Sequence, residues 1–228
     1  MVKLNKKIII AIDGGPGTGK STVSDYIANK LNIVHIDTGA MFRAVGYFFV
    51  KNNIKLSKES VVSNLDKIDV KLEYKGLKTL VFLNNEDVTD FIRTNEVSMA
   101  ASYVSKIKEV RKKLLELQRN MANTISVVLD GQDIGTVVFP NADFKFYFTC
   151  SMEVRAKRRT KDLNKKGNNT TYEEVKALLE KRDRDDRERK EAPILKAEDA
   201  IDIDTSYNTV EETAEKILNM IAERIDER

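Results

Sequence analysis

Along the chain, short unbroken apolar runs alternate with longer stretches in which apolar positions recur every three or four residues. Five of the runs, residues 8–12, 33–36, 125–129, 144–148 and 200–203, have the length and the β-branched or aromatic content of buried strands. Helical spacing separates most of them. It shows in Val23, Ile27 and Leu31 after the first run, over 96–105 and 107–120 before the third, and from about Tyr172 before the fifth. Alternation of this kind predicts an α/β fold with a five-stranded parallel sheet flanked by helices, and ligands at the carboxyl ends of the strands.

Residues 67–92 break the rhythm. Segments 69–73 and 79–83 have strand character and flank 74–78, a turn containing Gly76, so the region reads as a small antiparallel insert in the α/β core. With no internal repeat, no low-complexity linker and only three prolines, the chain reads as one domain over 1–228. Its core is 1–66, 93–150 and 171–228, its insert 67–92, and a short lid covers 151–170.

Composition narrows the class. A chain of 228 residues with 41% hydrophobic and 33% charged positions is an ordinary globular protein, which excludes disordered and collagen-like readings. The net charge of +3 is too small to argue for a nucleic-acid or membrane partner. A single cysteine cannot close an internal disulfide, and Cys150 is expected as a buried thiol in a reducing compartment. The apolar run near the N-terminus is too short for a signal peptide and none could span a bilayer, so a cytoplasmic location is expected.

Chemistry enters directly after the first run. Gly14-Gly15-Pro16-Gly17-Thr18-Gly19-Lys20-Ser21 fits G-x-x-x-x-G-K-[ST] between a strand and a helix, the form of a phosphate-binding loop. Its glycines let successive N–H groups turn toward phosphate oxygens, Lys20 reaches the β- and γ-phosphates, and the Ser21 hydroxyl can ligand Mg²⁺. The donor-phosphate segment therefore reads Gly14, Gly15, Pro16, Gly17, Thr18, Gly19, Lys20, Ser21 and Thr22. Asp130, ending the third apolar run and followed by a flexible polar turn, either stands where such proteins commonly hold Mg²⁺ through water or belongs to a simple turn after a strand.

Two charge-rich stretches admit two readings each. Arg182, Asp186 and Arg189 fall at i, i+4 and i+7, either a solvated face laced with ion pairs or a clamp for an anionic, ribose-bearing ligand. Arg155, Lys157, Arg158 and Arg159 lead to the loop 165–169 and are either a surface patch or a mobile lid over transferring phosphates. His35, the only histidine, reads as structural.

With these residues in view, the chain resembles the bacterial cytidylate kinases, nucleoside monophosphate kinases that phosphorylate CMP and dCMP. The likeness runs through Ile12-Asp13-Gly14, Asp37-Thr-Gly-Ala-Met-Phe-Arg43, Glu86-Asp-Val-Thr89, Ile92-Arg-Thr-Asn-Glu-Val97, Val110-Arg111, Gln118-Arg119, Asp130-Gly-Gln-Asp-Ile-Gly-Thr-Val-Val-Phe-Pro140, Arg182-Asp183 and Ala192-Pro193, nearly the whole chain. It implies a phosphate-loop kinase using ATP with Mg²⁺, the latter held by Ser21 and, through water, Asp130. Its substrates are then ATP and CMP or dCMP, it has no nucleic-acid or membrane partner, and it is a monomer, with the insert on the monophosphate side. By position, the resemblance implies that Ser102, Arg111 and Asp133 read the cytosine, with Arg182 and Asp186 at the sugar and Arg43 and Arg189 on the acceptor phosphate. Thr38 matches a position usually Ser or Thr. Lys20, Arg43, Arg155, Arg158 and Arg189 are the implied catalytic charges. Gln132 stands where the family usually has arginine, so one phosphate-binding charge is absent and Gln132→Arg is expected to gain about tenfold in kcat/KM.

The rival readings are a kinase for UMP or AMP, a GTP switch and a non-catalytic ATP-binding module. No Asn-Lys-x-Asp or Asp-x-x-Gly, the guanine and γ-phosphate signatures, occurs here.

Overall fold

The computed structural model describes residues 6–75, 78–165, 167 and 169–226. In chain order, β1 (Ile9–Gly14) leads through the phosphate loop into α1 (Lys20–Leu31), and β2 (Val34–Asp37) into α2 (Thr38–Lys51) and α3 (Lys58–Asn64). The insert is β3 (Val70–Lys75), β4 (Lys78–Leu83) and β5 (Glu86–Asp87). Then come α4 (Asn95–Val104), α5 (Lys108–Met121), β6 (Val127–Gly131), a π-helical turn at Ile134–Val138, and β7 (Phe144–Thr149). The chain closes with α6 (Met152–Lys165), α7 (Tyr172–Glu188), β8 (Ile201–Asp204) and α8 (Val210–Asp226).

Five strands form one parallel sheet in the order β2-β6-β1-β7-β8. Its centre, β1, aligns Ile12 with Asp130 of β6 and with Phe146 of β7. That register brings the phosphate loop and Asp130 to neighbouring strand ends. Alternate strand residues point to opposite faces. Ile10, Ile12, Phe144, Phe146 and Phe148 pack with α1 and α8, whereas Ala11, Ile36, Val127 and Leu129 pack with Ile134 and Val138 of the π-helical turn.

A second core joins the insert to the helices. Val70, Val81 and Leu83 lie against Phe48 and Phe49 of α2, together with Val97 and Val104 of α4. Here α2 and α4 nearly touch, since a Cβ added at Gly46 would stand 2.8 Å from the Ala101 nitrogen. The close approach needs a glycine, and it sets where α4 presents Ser102.

The sequence expectations hold for the sheet, with three corrections. β8 is an edge strand in which only Ile203 is buried, because α8 covers one side alone. The antiparallel unit gains a third strand, β5, and its β3–β4 pairing runs out to Lys75 opposite Lys78; Gly76, in the expected turn, lies outside the described residues. Cys150 is half-buried, because it follows β7 instead of sitting within it, and its Sγ is 3.7 Å from Arg158 Nη1. Among the described residues no helix is long and apolar enough to cross a membrane.

Candidate active site

The phosphate loop wraps the N-terminus of α1. Gly19 is the residue before that helix, with φ of 87°, a left-handed conformation that a side chain would strain. Lys20 Nζ donates to the Gly15 carbonyl at 2.8 Å, as does the Thr18 hydroxyl at 2.9 Å, so the loop is folded around its own lysine. Burial pulls the Lys20 ammonium below its ordinary value while Asp130 opposes that shift. Thr22 is exposed on the first turn of α1.

Beside the loop, the Ser21 hydroxyl donates to Asp130 Oδ2 at 2.8 Å. The other Asp130 oxygen meets His35 Nε2 at 2.6 Å, and His35 Nδ1 meets Asp25 at 2.5 Å. Burial works against charging this imidazole, yet the hydrogen bonds to Asp130 and Asp25 prevail and hold its pKa up to about 10. His35 therefore stays a cation between two carboxylates. A hydroxyl and a carboxylate oxygen side by side are hard donors of the kind Mg²⁺ takes. Among the described residues no group of three or more His, Cys, Asp or Glu could hold a metal ion.

Two chambers meet at this point. One, of about 280 Å³, runs from Lys20 and Ser21 past Thr38, Arg43, Ser102, Arg111, Asp133, Arg182, Asp186 and Arg189. The other, of about 570 Å³, lies over the loop toward Arg158, Lys161, Thr205 and Asn208. Gly17, Lys20, Ser21 and Arg159 line both. The smaller chamber holds six cationic side chains against four carboxylates, an excess suited to an anion.

Each element of the smaller chamber is tied to another. Asp37 caps α2, accepting from the Ala40 nitrogen at 2.9 Å, and its second oxygen takes Arg43 Nη2 at 2.6 Å. The Thr38 hydroxyl donates to the Asp130 carbonyl at 2.8 Å. Arg111 lies over the Phe42 ring, donates to the Ser105 carbonyl at 3.1 Å and pairs with Asp133. Asp13, buried at the end of β1, accepts from the Ile134 and Gly135 nitrogens at 2.7 Å each and so fixes the backbone just after Asp133. Burial pushes the Asp13 carboxyl up to about 7 despite those two bonds.

Three expected placements change. Arg155 is no free lid charge, because its guanidinium grips Asp183 with both ends, at 3.0 and 2.6 Å, and the Pro16 carbonyl at 3.1 Å, buried throughout. Arg189 does not continue the helical face of Arg182 and Asp186. α7 stops at Glu188, Arg189 is extended, and Ala192 takes a φ of 46° as the chain reverses to bond Ile194 nitrogen to the Asp186 carbonyl. Its side chain still reaches the chamber. Gln132, expected on the phosphate, has its amide between Asp186, at 2.6 Å, and Arg189, at 2.9 Å. Arg158 is held by the Thr205 carbonyl at 2.8 Å and faces only the larger chamber. Of the expected lid loop, Lys166 and Asn168 lie outside the described residues.

Arg159, which the sequence placed only as one member of the basic lid cluster, shares the α6 face of Arg155 at i+4 and faces both chambers. Sequence reasoning missed Asp37 and Phe42, whose signal was their place beside Thr38 and Arg43.

A family model described as cytidylate kinase matches residues 10–223. A cytidylate kinase of Caldicellulosiruptor bescii is 47% identical over 216 residues, covering 94% of this chain and 96% of its own. The cytidylate kinase of Flavobacterium johnsoniae is 45% identical, covering 95% and 96%, and that of Halalkalibacterium halodurans 43%, covering 96% and 100%. In fold, the chain is similar to a crystal structure of an uncharacterized protein from Eubacterium ventriosum, with a TM-score of 0.51 at 16% identity, covering 98% of this chain and 100% of that one.

Proposed function

The chain belongs to the cytidylate kinase family and is an ATP-dependent nucleoside monophosphate kinase, and from that premise we propose how its two chambers divide the work. ATP lies in the larger chamber with its phosphates in the loop, CMP or dCMP lies in the smaller, and the γ-phosphoryl group passes between them to give CDP or dCDP and ADP. The observation that carries this division is that both chambers share Lys20 and Ser21.

The attacking oxygen belongs to an acceptor phosphate that is already anionic, so no general base is needed and catalysis is alignment plus charge neutralisation. Lys20 stands at the junction, with Arg159 in reach of both sides and Arg43 and Arg189 on the acceptor side. Ser21 and Asp130 would hold Mg²⁺, which when bound neutralises charge on the donor phosphates. Asp133, fixed by Arg111 and by the Asp13-anchored turn, accepts the exocyclic amino group of cytosine; uracil would turn a carbonyl toward it. Arg182 and Asp186 lie at the sugar. α6, within the lid expected over 151–170, excludes water when both nucleotides are present. The enzyme works as a monomer and where its nucleotides are, in the cytoplasm.

Asp133→Asn tests the reading. Removing the charge relieves repulsion of the uracil carbonyl, so the ratio of kcat/KM for CMP over UMP falls by about tenfold or more, a mispaired group costing about 1–3 kcal/mol. An unchanged ratio in a folded variant would remove Asp133 from base recognition.

A further inference from the structure

The amide of Gln132 can be oriented in only one way. Its neighbours are a carboxylate, which only accepts, and a guanidinium, which only donates, so Nε2 must face Asp186 Oδ2 and Oε1 must face Arg189 Nη1. Asp186 and Arg189 are both buried, and their direct approach is loose, at 3.5 Å. The amide stands where a close ion pair would otherwise form. Arg189 Nε is held by the Ala192 carbonyl at 2.7 Å, while Nη2 is buried without a hydrogen-bond partner, in a side chain that lines the smaller chamber.

We propose that Gln132 is a positioning residue that acts on the acceptor through Arg189: by separating Asp186 from Arg189 it keeps Nη2 available to the acceptor phosphate, and it is not itself a phosphate ligand. This rests on the reading of the smaller chamber as the CMP site. Without the amide, opposite charges three residues apart and out of water close on each other, and the guanidinium fork turns onto Asp186. The acceptor then meets a neutralised pair. An arginine at 132 fares no better, because it would set a further guanidinium beside Arg189 on a carboxylate that Arg182 already approaches to 3.6 Å. The expected tenfold gain from Gln132→Arg disappears on this geometry.

The experiment is a double-mutant cycle on CMP affinity, measured by calorimetry with the purified full chain. Gln132→Met keeps length and removes both hydrogen bonds at a half-exposed position. It is expected to weaken CMP binding about tenfold, the effect of hydrogen bonds to charged groups, with KM for ATP and the denaturation midpoint little changed. In an Arg189→Ala background the same substitution should cost less than about twofold, since nothing is left to position. If Gln132→Met does not fold, Gln132→Ser is read in the same cycle. A full tenfold loss in the Arg189→Ala background would make Gln132 a direct ligand and overturn the proposal, as would no loss in either background or a tenfold gain in kcat/KM from Gln132→Arg. Failure of the unaltered protein to phosphorylate CMP at all would instead strike the underlying assignment.

Discussion

Lys20 is the side chain on which the two chambers converge, and its contacts to the Gly15 carbonyl keep it inside the loop before any nucleotide arrives. Losing one preorganised transition-state charge costs about 3 kcal/mol or more, so Lys20→Ala should lower turnover at least about a hundredfold with an unchanged circular dichroism spectrum. Near-normal turnover would contradict a role in phosphoryl transfer. His35 supplies a pH signature. Its pKa rises from 6.5 to about 10 on folding, so its stabilisation is fully present below pH 6.5 and is lost as pH climbs toward 10. The difference in urea unfolding free energy between the unaltered protein and His35→Gln should therefore shrink over that range; a constant difference would mean that the imidazole is not held as a cation. At this scale the loop was legible because its chemistry is written in eight consecutive residues. The partners of Arg155 and Gln132 were not, since they lie 28 and 54 residues away along the chain, beyond any periodic signal.

Among elements, α6 and α7 are joined by a small apolar cluster of Ala156, Leu163, Val175 and Leu179 and by the Arg155–Asp183 pair. Arg155 also donates to the Pro16 carbonyl, so it ties the helix pair to the phosphate loop. Arg155→Met leaves Asp183 buried without its counter-ion, and breaking a buried pair in this way costs about 3–5 kcal/mol. Chemical denaturation should show a loss of that order together with a raised KM for ATP; unchanged stability would show that the pair does not fasten the helices. The strands of the sheet were visible as apolar runs, displaced by a residue or two at their ends. A run alone does not distinguish a central strand from an edge, which is why β8 emerged more exposed than expected. Helical spacing likewise could not show that α7 ends before Arg189, because the chain reversal at Ala192 is made by a backbone bond to Asp186.

At the scale of the whole molecule, the parallel sheet sets the phosphate loop beside Asp130, while the insert and α4 build against α2, the helix that carries Arg43. The phosphate loop thus lies where the two chambers meet. The smaller one combines an excess of cations, suited to a phosphate, with the fixed Asp133–Arg111 pair, suited to one base edge. A site built to hydrogen-bond a base leaves buried groups unpaired when another base enters, and two mispaired groups at about 1–3 kcal/mol each give a preference of about thirtyfold at the least. The most direct test is a steady-state assay of ADP release with a panel of nucleoside monophosphates. The account predicts that CMP and dCMP exceed UMP and AMP in kcat/KM by at least about thirtyfold; equal efficiency with UMP and CMP would contradict it.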